Sequence, residues 1–330
     1  MALVHYKDKL GEFDYDNEMF VVDCNGLLRF RAGYKGPIDL PKGVTSCRAM
    51  FANCDLTNCY IRDFDTSLVT DMLRMFDNCK CPEGFTLGSK FDTSKVTDMS
   101  HMFEGCKLPE GFRLGSRFDT SNVVTMSYMF ECCKLPEGFT LGDKFDTSSV
   151  RDMSCMFECC KLPDGFTLGD SFDTSSVRDM TWMFSNCVLP VGFTLGSKFD
   201  TSHVDKMPGM FYMCVMPKGF TLGREFSTVN VNKMREMFRE CQLPEGFTLG
   251  SKFNIANVDD DIKDMFDNCQ LNGAYLKGDT PSVISQLTVD SAISCDSCEE
   301  VFTVLKSIPL ASIKNCDTND EVIELIKRYM

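Results

Sequence analysis

Cysteine is the residue type in this chain with the most chemistry at a regular spacing. Cys79, Cys106, Cys133, Cys160, Cys187, Cys214 and Cys241 follow one another every 27 residues, Cys269 comes 28 after the last, and each stands three residues after a Met-Phe pair. Thiols in such a series have three uses: ligands to a soft metal, disulfide partners, or small buried apolar side chains. Metal sites need ligands clustered in tetrahedral geometry, and the chain has only three His, none in this slot. The third use is therefore expected, a column of reduced, buried thiols. Cys132 and Cys159 add a partial second column, expected to be more exposed. Cys295 and Cys298 form a CxxC, a weak sign of redox or zinc chemistry without a second pair or a thioredoxin-like pattern. No phosphate-binding glycine loop, HExxH, nucleophile elbow or EF-hand loop occurs, so no enzyme activity, metal or cofactor is expected.

The elements that position these cysteines repeat with them. The Met-Phe pairs at 75–76, 102–103, 129–130, 156–157, 183–184, 210–211 and 237–238 keep the 27-residue step, with looser copies at 50–51 and 265–266. A fixed period of this size predicts units too small to bury their own apolar face, which do so only against their neighbours. Phe139 and Leu141 alternate as a strand does. Val150, Met153, Met156, Phe157 and Cys160 recur at three- and four-residue steps, as in a short helical or 3₁₀ segment. Phe145, Met153, Met156, Phe157 and Cys160 are the expected core of each unit. Thr147-Ser148 reads as a helix N-cap, and Asp146 and its equivalents as turn residues.

The pattern Phe-Asp-Thr-Ser-x-Val-x-Asp-Met-x-x-Met-Phe-x-x-Cys resembles the BspA-type leucine-rich repeat, also known as the mycoplasma-type repeat domain of unknown function. The resemblance is close from Phe64 to Cys241 and loose from Val44 to Cys269. It implies a right-handed α/β solenoid of leucine-rich-repeat-like coils, about 27 residues each here, found in surface-adhesion and interaction proteins, with no catalytic residue in the repeat. Three regions are then expected: an N-terminal β cap over 1–40, a nine-coil repeat solenoid over 41–270, and a helical C-terminal cap or docking domain over 271–330. The first follows from the Asn25-Gly26 turn between two apolar runs, a β-hairpin signal. The last follows from three helix-like stretches beginning near Thr280, Ser297 and Thr318.

A formal net charge of −14 disfavours direct binding to nucleic acid or to anionic membranes. No apolar run reaches the length of a membrane helix and the N-terminus lacks a signal-peptide core, so a cytoplasmic, monomeric protein without membrane insertion is expected, or a surface or secreted one had an export signal been removed. With the core letters fixed, recognition falls to the positions that vary. Tyr128 and Trp182 are aromatic where other repeats carry Arg, His, Cys, Gly or Glu, and Trp182 is the single Trp. The repeat around 208 places Pro208 and Gly209 in the presumed helical segment and shows Tyr212 and Met213 where others are mostly polar. These six residues are the candidate partner-binding set. The function read from the sequence is a non-enzymatic protein-binding scaffold, in a specific version an acidic inhibitor or effector against a nucleic-acid-binding protein. The alternative is a cell-surface or secreted adhesion module of the BspA type.

Overall fold

The computed structural model describes residues 4–6, 9–11, 18–244, 247–258, 265–266 and 268–271. The chain divides into two compact units, Met1–Pro163 and Asp164–Met330.

Each repeat is a chain of tight turns. In the repeat that begins at Pro109, the N–H groups of Phe112, Phe118, Val123, Met129 and Cys133 donate to the carbonyls three residues earlier, on Pro109, Gly115, Thr120, Met126 and Phe130, at 2.9–3.3 Å. All five closing residues are buried. The intervening N–H groups leave the repeat: those of Met126, Tyr128, Phe130 and Cys132 donate to Asp152, Ser154, Met156 and Glu158, at 2.7–3.0 Å. These backbone donors thus find partners in their own turn or in the next repeat, as burial requires, and Val124 N–H reaches back to the Thr97 carbonyl of the preceding repeat at 2.9 Å.

This arrangement overturns the α/β solenoid with a helical cap. Among the described residues there is no helix, and the strands are two to five residues long. The cause is a pair of left-handed residues, four apart, in the Met-Phe segment of each repeat. Tyr128 and Cys132 have φ of 61° and 51°, and Arg74, Asn78, His101, Cys155 and Cys159 of the first unit do the same. A helix cannot pass through such residues, and each non-glycine one costs about 1–2 kcal/mol, offset here by the bonds between repeats. The Phe139-Thr140-Leu141 strand is also absent. Phe139 and Leu141 are buried and Thr140 exposed, but Phe139 closes a turn on Pro136 (3.1 Å) instead of joining a ladder. The helix-like stretches after 271 and the CxxC lie outside the described residues.

In the first unit, β1 (Val4–Tyr6) pairs antiparallel with β2 (Lys9–Gly11). β3 (Phe20–Val22) and β4 (Leu28–Phe30) form the expected hairpin around Asn25-Gly26. It packs Phe20 and Phe30 on Phe51, with ring centroids 6.3 and 5.3 Å apart. β5 (Gly36–Asp39) and β6 (Cys59–Asp63) pair in parallel. Beyond them the repeats join through single parallel bridges along two columns, Ser46–Asp71–Asp98–Thr125–Asp152 and Asp55–Lys80–Lys107–Lys134–Lys161. In the second unit, Asp179–Lys206–Lys233 and Val188–Val215–Gln242 are joined likewise, and β7 (Gln242–Leu243) pairs in parallel with β8 (Gln270–Leu271).

Phenylalanine fills each unit. In the first, Phe51, Phe76, Phe103, Phe130 and Phe157 stack face to face at 5.2–5.7 Å, within 7° of parallel. A second column, Phe85, Phe112 and Phe139, meets the first edge-on at 70–77°. In the second unit Phe184, Phe211, Phe238 and Phe266 stack likewise. Phe145, Met153, Met156, Phe157 and Cys160 are all buried in the first unit. The described cysteines are free thiols, and the column is buried as expected up to Cys241. Several donate to the Phe carbonyl of the preceding repeat, Cys106 to Phe76 and Cys214 to Phe184, each at 2.8 Å.

Candidate functional site

The second unit collects five of the six candidate binding residues. Trp182 N–H donates to the Pro208 carbonyl at 2.9 Å, which sets the indole above the following repeat. There it meets Gly209. A Cβ at that glycine would stand 3.1 Å from the indole carbons, so a bare backbone lets the ring lie close. Gly209 shares its left-handed φ, 55°, with Trp182 and Glu236 at the same slot, so here glycine serves contact more than conformation. The Tyr212 ring packs on Trp182 at 5.1 Å and 54°, and Met213 beside it is 43% exposed.

Each unit has a bridge column at the same repeat slot, and the residues in it differ. In the first unit it carries Lys80, Lys107, Lys134 and Lys161, all exposed. In the second it carries Val188, 65% exposed, and Val215. Val191, 85% exposed, lies three residues after Val188. Isolated surface apolar residues are ordinary, but here Val188 follows Trp182 by six residues and Val215 follows Tyr212 by three, so the same two repeats carry the rings and the valines. Variation between repeats points to Trp182, Pro208, Gly209, Tyr212 and Met213 but not to the valines. Their signal was the loss of lysine at a slot that four earlier repeats keep.

Tyr128 belongs elsewhere. It lies in the first unit, half-buried, with its ring flat on His101 at 4.5 Å and 3°. His101 Nδ1 is 2.5 Å from Glu104 Oε2, and Glu131 stands in the Glu104 slot one repeat on. One ligating atom each from His101, Glu104 and Glu131 lies within 4.8 Å of the other two. Glu158 continues the slot, and Cys132, Cys155 and Cys159 border it. The Cys155 thiol, hydrogen-bonded to Tyr128, is the main reason that the phenol is pushed up to about 12. Burial, then Cys132 and Glu158, raise the Cys159 thiol to about 11, which keeps it protonated and slow as a nucleophile. The cysteine slot, with the most regular spacing, gives no pointer to this group. The Glu104, Glu131 and Glu158 series was its available signal.

Glu131 is raised to about 7 from 4.5, first by burial and then by the charges of Glu104 and Glu158. A carboxyl with a raised folded value binds its proton more tightly in the fold than in the unfolded chain. Its stabilising effect is complete below about 4.5 and is lost as pH rises through about 7. Glu131→Gln is therefore expected to raise stability at pH 8 by about 1 kcal/mol, a value reduced for solvent screening of a half-exposed group, and to change little at pH 4.5. Thermal unfolding at the two pH values in a chelator checks this.

The family model described as Mycoplasma protein of unknown function, DUF285, matches residues 41–134, 81–190, 140–216 and 167–278. The chain belongs to the DUF285 family. The overlapping matches cover the 27-residue repeats, and both the Trp182–Tyr212 pair and the His101 group lie within them. No curated protein matches the chain. No solved structure matches it either. Among the described residues no helix is long and apolar enough to cross a membrane.

Proposed function

We propose that this DUF285 repeat protein is a non-enzymatic binding scaffold that engages a protein partner through Trp182, Tyr212, Met213, Val188 and Val215. The observation that carries the reading is the Trp182–Tyr212 ring pair, in two repeats where Val188, exposed, and Val215, half-buried, stand at the slot that is an exposed lysine in the first unit. Aromatic anchors in a partly desolvated setting supply most of the energy of ordinary interfaces, and neighbouring apolar side chains exclude water around them. The net charge of −14 favours a partner with a basic rim and speeds its encounter, which is the sense in which an acidic inhibitor of a nucleic-acid-binding protein suits this chain.

The test restores the lysines. Val188→Lys with Val215→Lys places in the second unit the side chains that the first unit carries at the same repeat slot, so the fold is expected to tolerate them. Partner recovery in a quantitative pull-down is expected to fall at least 10-fold, with the unfolding midpoint unchanged. Unchanged recovery with intact folding would overturn the proposed surface. Capture of a cell-surface ligand, lost in the same variant, would favour the adhesion role that the BspA resemblance implies.

A further inference from the structure

Two adjacent repeats of the first unit bring one imidazole and two carboxylates to a single point. His101 and Glu104 come from one repeat and Glu131 from the next, with their ligating atoms within 4.8 Å of one another. We propose that these three side chains hold a divalent transition-metal ion, Zn²⁺ in the first instance, as a clasp between neighbouring repeats, independent of the second unit's binding surface.

Donor chemistry selects the class of ion. Imidazole nitrogen and carboxylate oxygen are both zinc ligands, and three protein ligands leave a fourth position open, whereas Ca²⁺ and Mg²⁺ take oxygen ligands and have no use for the imidazole. The group is also oriented before any ion arrives. His101 N–H donates to the Ser127 carbonyl at 2.8 Å, its φ is 58°, and the ring lies flat on Tyr128, so it cannot swing out without leaving that stack. Its Nδ1 faces Glu104. The side chains of His101 and Glu104 are 18% and 23% exposed, so an ion can reach them from solvent while partly shedding water.

Electrostatics agree in sign. Glu104, Glu131 and Glu158 occupy one slot on successive repeats, and like charges at the spacing of neighbouring strands, about 4.8 Å, repel. A dication among them offsets that repulsion. The nearby cation, Arg74, has its short contact with Asp77 at 2.9 Å and stands 3.9 Å from Glu104, so it is anchored toward the preceding repeat.

Co²⁺ serves as a spectroscopic stand-in for Zn²⁺, added to the full-length chain with Cys132→Ser and Cys159→Ser, which remove the exposed thiols beside the group. One ion is expected to bind with the visible absorption of nitrogen and oxygen ligation, free of a thiolate charge-transfer band, and to be displaced by Zn²⁺. His101→Arg places at this slot the residue that the preceding repeat carries at 74, so folding is expected to survive. It and Glu131→Gln are each expected to weaken this ion at least 100-fold. Affinity unchanged in both variants, an absorption that is purely thiolate in origin, or no binding at millimolar Co²⁺ would each overturn the proposal. Should His101→Arg unfold, the Glu131→Gln result decides alone.

Discussion

Phe103→Ala is expected to cost the first unit about 3–5 kcal/mol, the range for deleting a fully buried ring. Phe103 has no exposed surface. It lies parallel to Phe76 at 5.5 Å and to Phe130 at 5.7 Å, and the edge of Phe112 meets it at 6.0 Å and 70°. Such aromatic contacts add roughly 0.5–1.5 kcal/mol per pair beyond the area that they bury. The vacancy cannot close easily. Phe103 N–H donates to Met129 at 2.9 Å, Phe76 N–H donates to Met102 at 2.9 Å, and both bonds hold the backbone at repeat spacing. A loss at the upper end of the range is therefore expected, with a smaller loss for Phe103→Leu, which keeps part of the volume. Hydrogen exchange resolves the change by peptide, and the peptides around Phe76, Phe103 and Phe130 should lose protection together. A loss below about 1 kcal/mol would mean that the ring column is not what holds these repeats.

How much of this could be read beforehand depends on what each residue type announces. The Met-Phe period, the buried thiol column and the hairpin at Asn25-Gly26 announce themselves through spacing. So does the acid slot, where Asp92 Oδ1 accepts from Ser94 N–H at 3.0 Å and Asp119, Asp146 and Asp173 do the same for Ser121, Ser148 and Ser175. The helix was misread because turns that close on the third residue place apolar side chains at the same three- and four-residue steps as a helix does. Of the left-handed residues that exclude a helix, Arg74, His101, Tyr128, Cys155, Trp182 and Glu236 share no residue type and give no warning, whereas the slot four residues on carries Asn53, Asn78, Gly105, Asn186 and Asn268, the types that adopt this conformation most readily.

Pro208 shows the same gap from the other side. In a helix it would be a disruption. In these turns the residue at its slot uses its N–H to reach an Asp carboxylate two residues back, as Thr181 reaches Asp179 at 3.0 Å. Proline lacks that donor, and the acceptor slot holds Lys206 in place of Asp. Donor and acceptor are lost together, so no orphan remains from this pair, and the Lys206 ammonium turns to Asp179 at 3.2 Å. Pro208 thus entered the candidate set on a helical premise that the turns remove.

The second large effect concerns the residue misread as a helix cap. Thr66→Val is expected to cost about 2–4 kcal/mol although the two side chains have nearly the same shape. Thr66 is completely buried, and its hydroxyl staples two repeats: Oγ1 donates to the Asp92 carbonyl at 2.8 Å and accepts from the Asp92 N–H at 2.7 Å. Valine fills the space but leaves a buried N–H and a buried carbonyl without this partner, at about 1–3 kcal/mol each in mutational series. The same slot is Thr93, Thr120, Thr147, Thr174, Thr201 and Thr228, all buried. A cap would sit at a solvent-facing end and tolerate serine, asparagine or aspartate alike. A staple between repeats tolerates serine alone, because a carboxylate there would be a buried charge beside a carbonyl oxygen. Denaturant midpoints for Thr66→Ser, Thr66→Val and Thr66→Asp therefore separate the two roles: the staple orders them serine, valine, aspartate from mildest to most severe, and the cap would put aspartate beside serine.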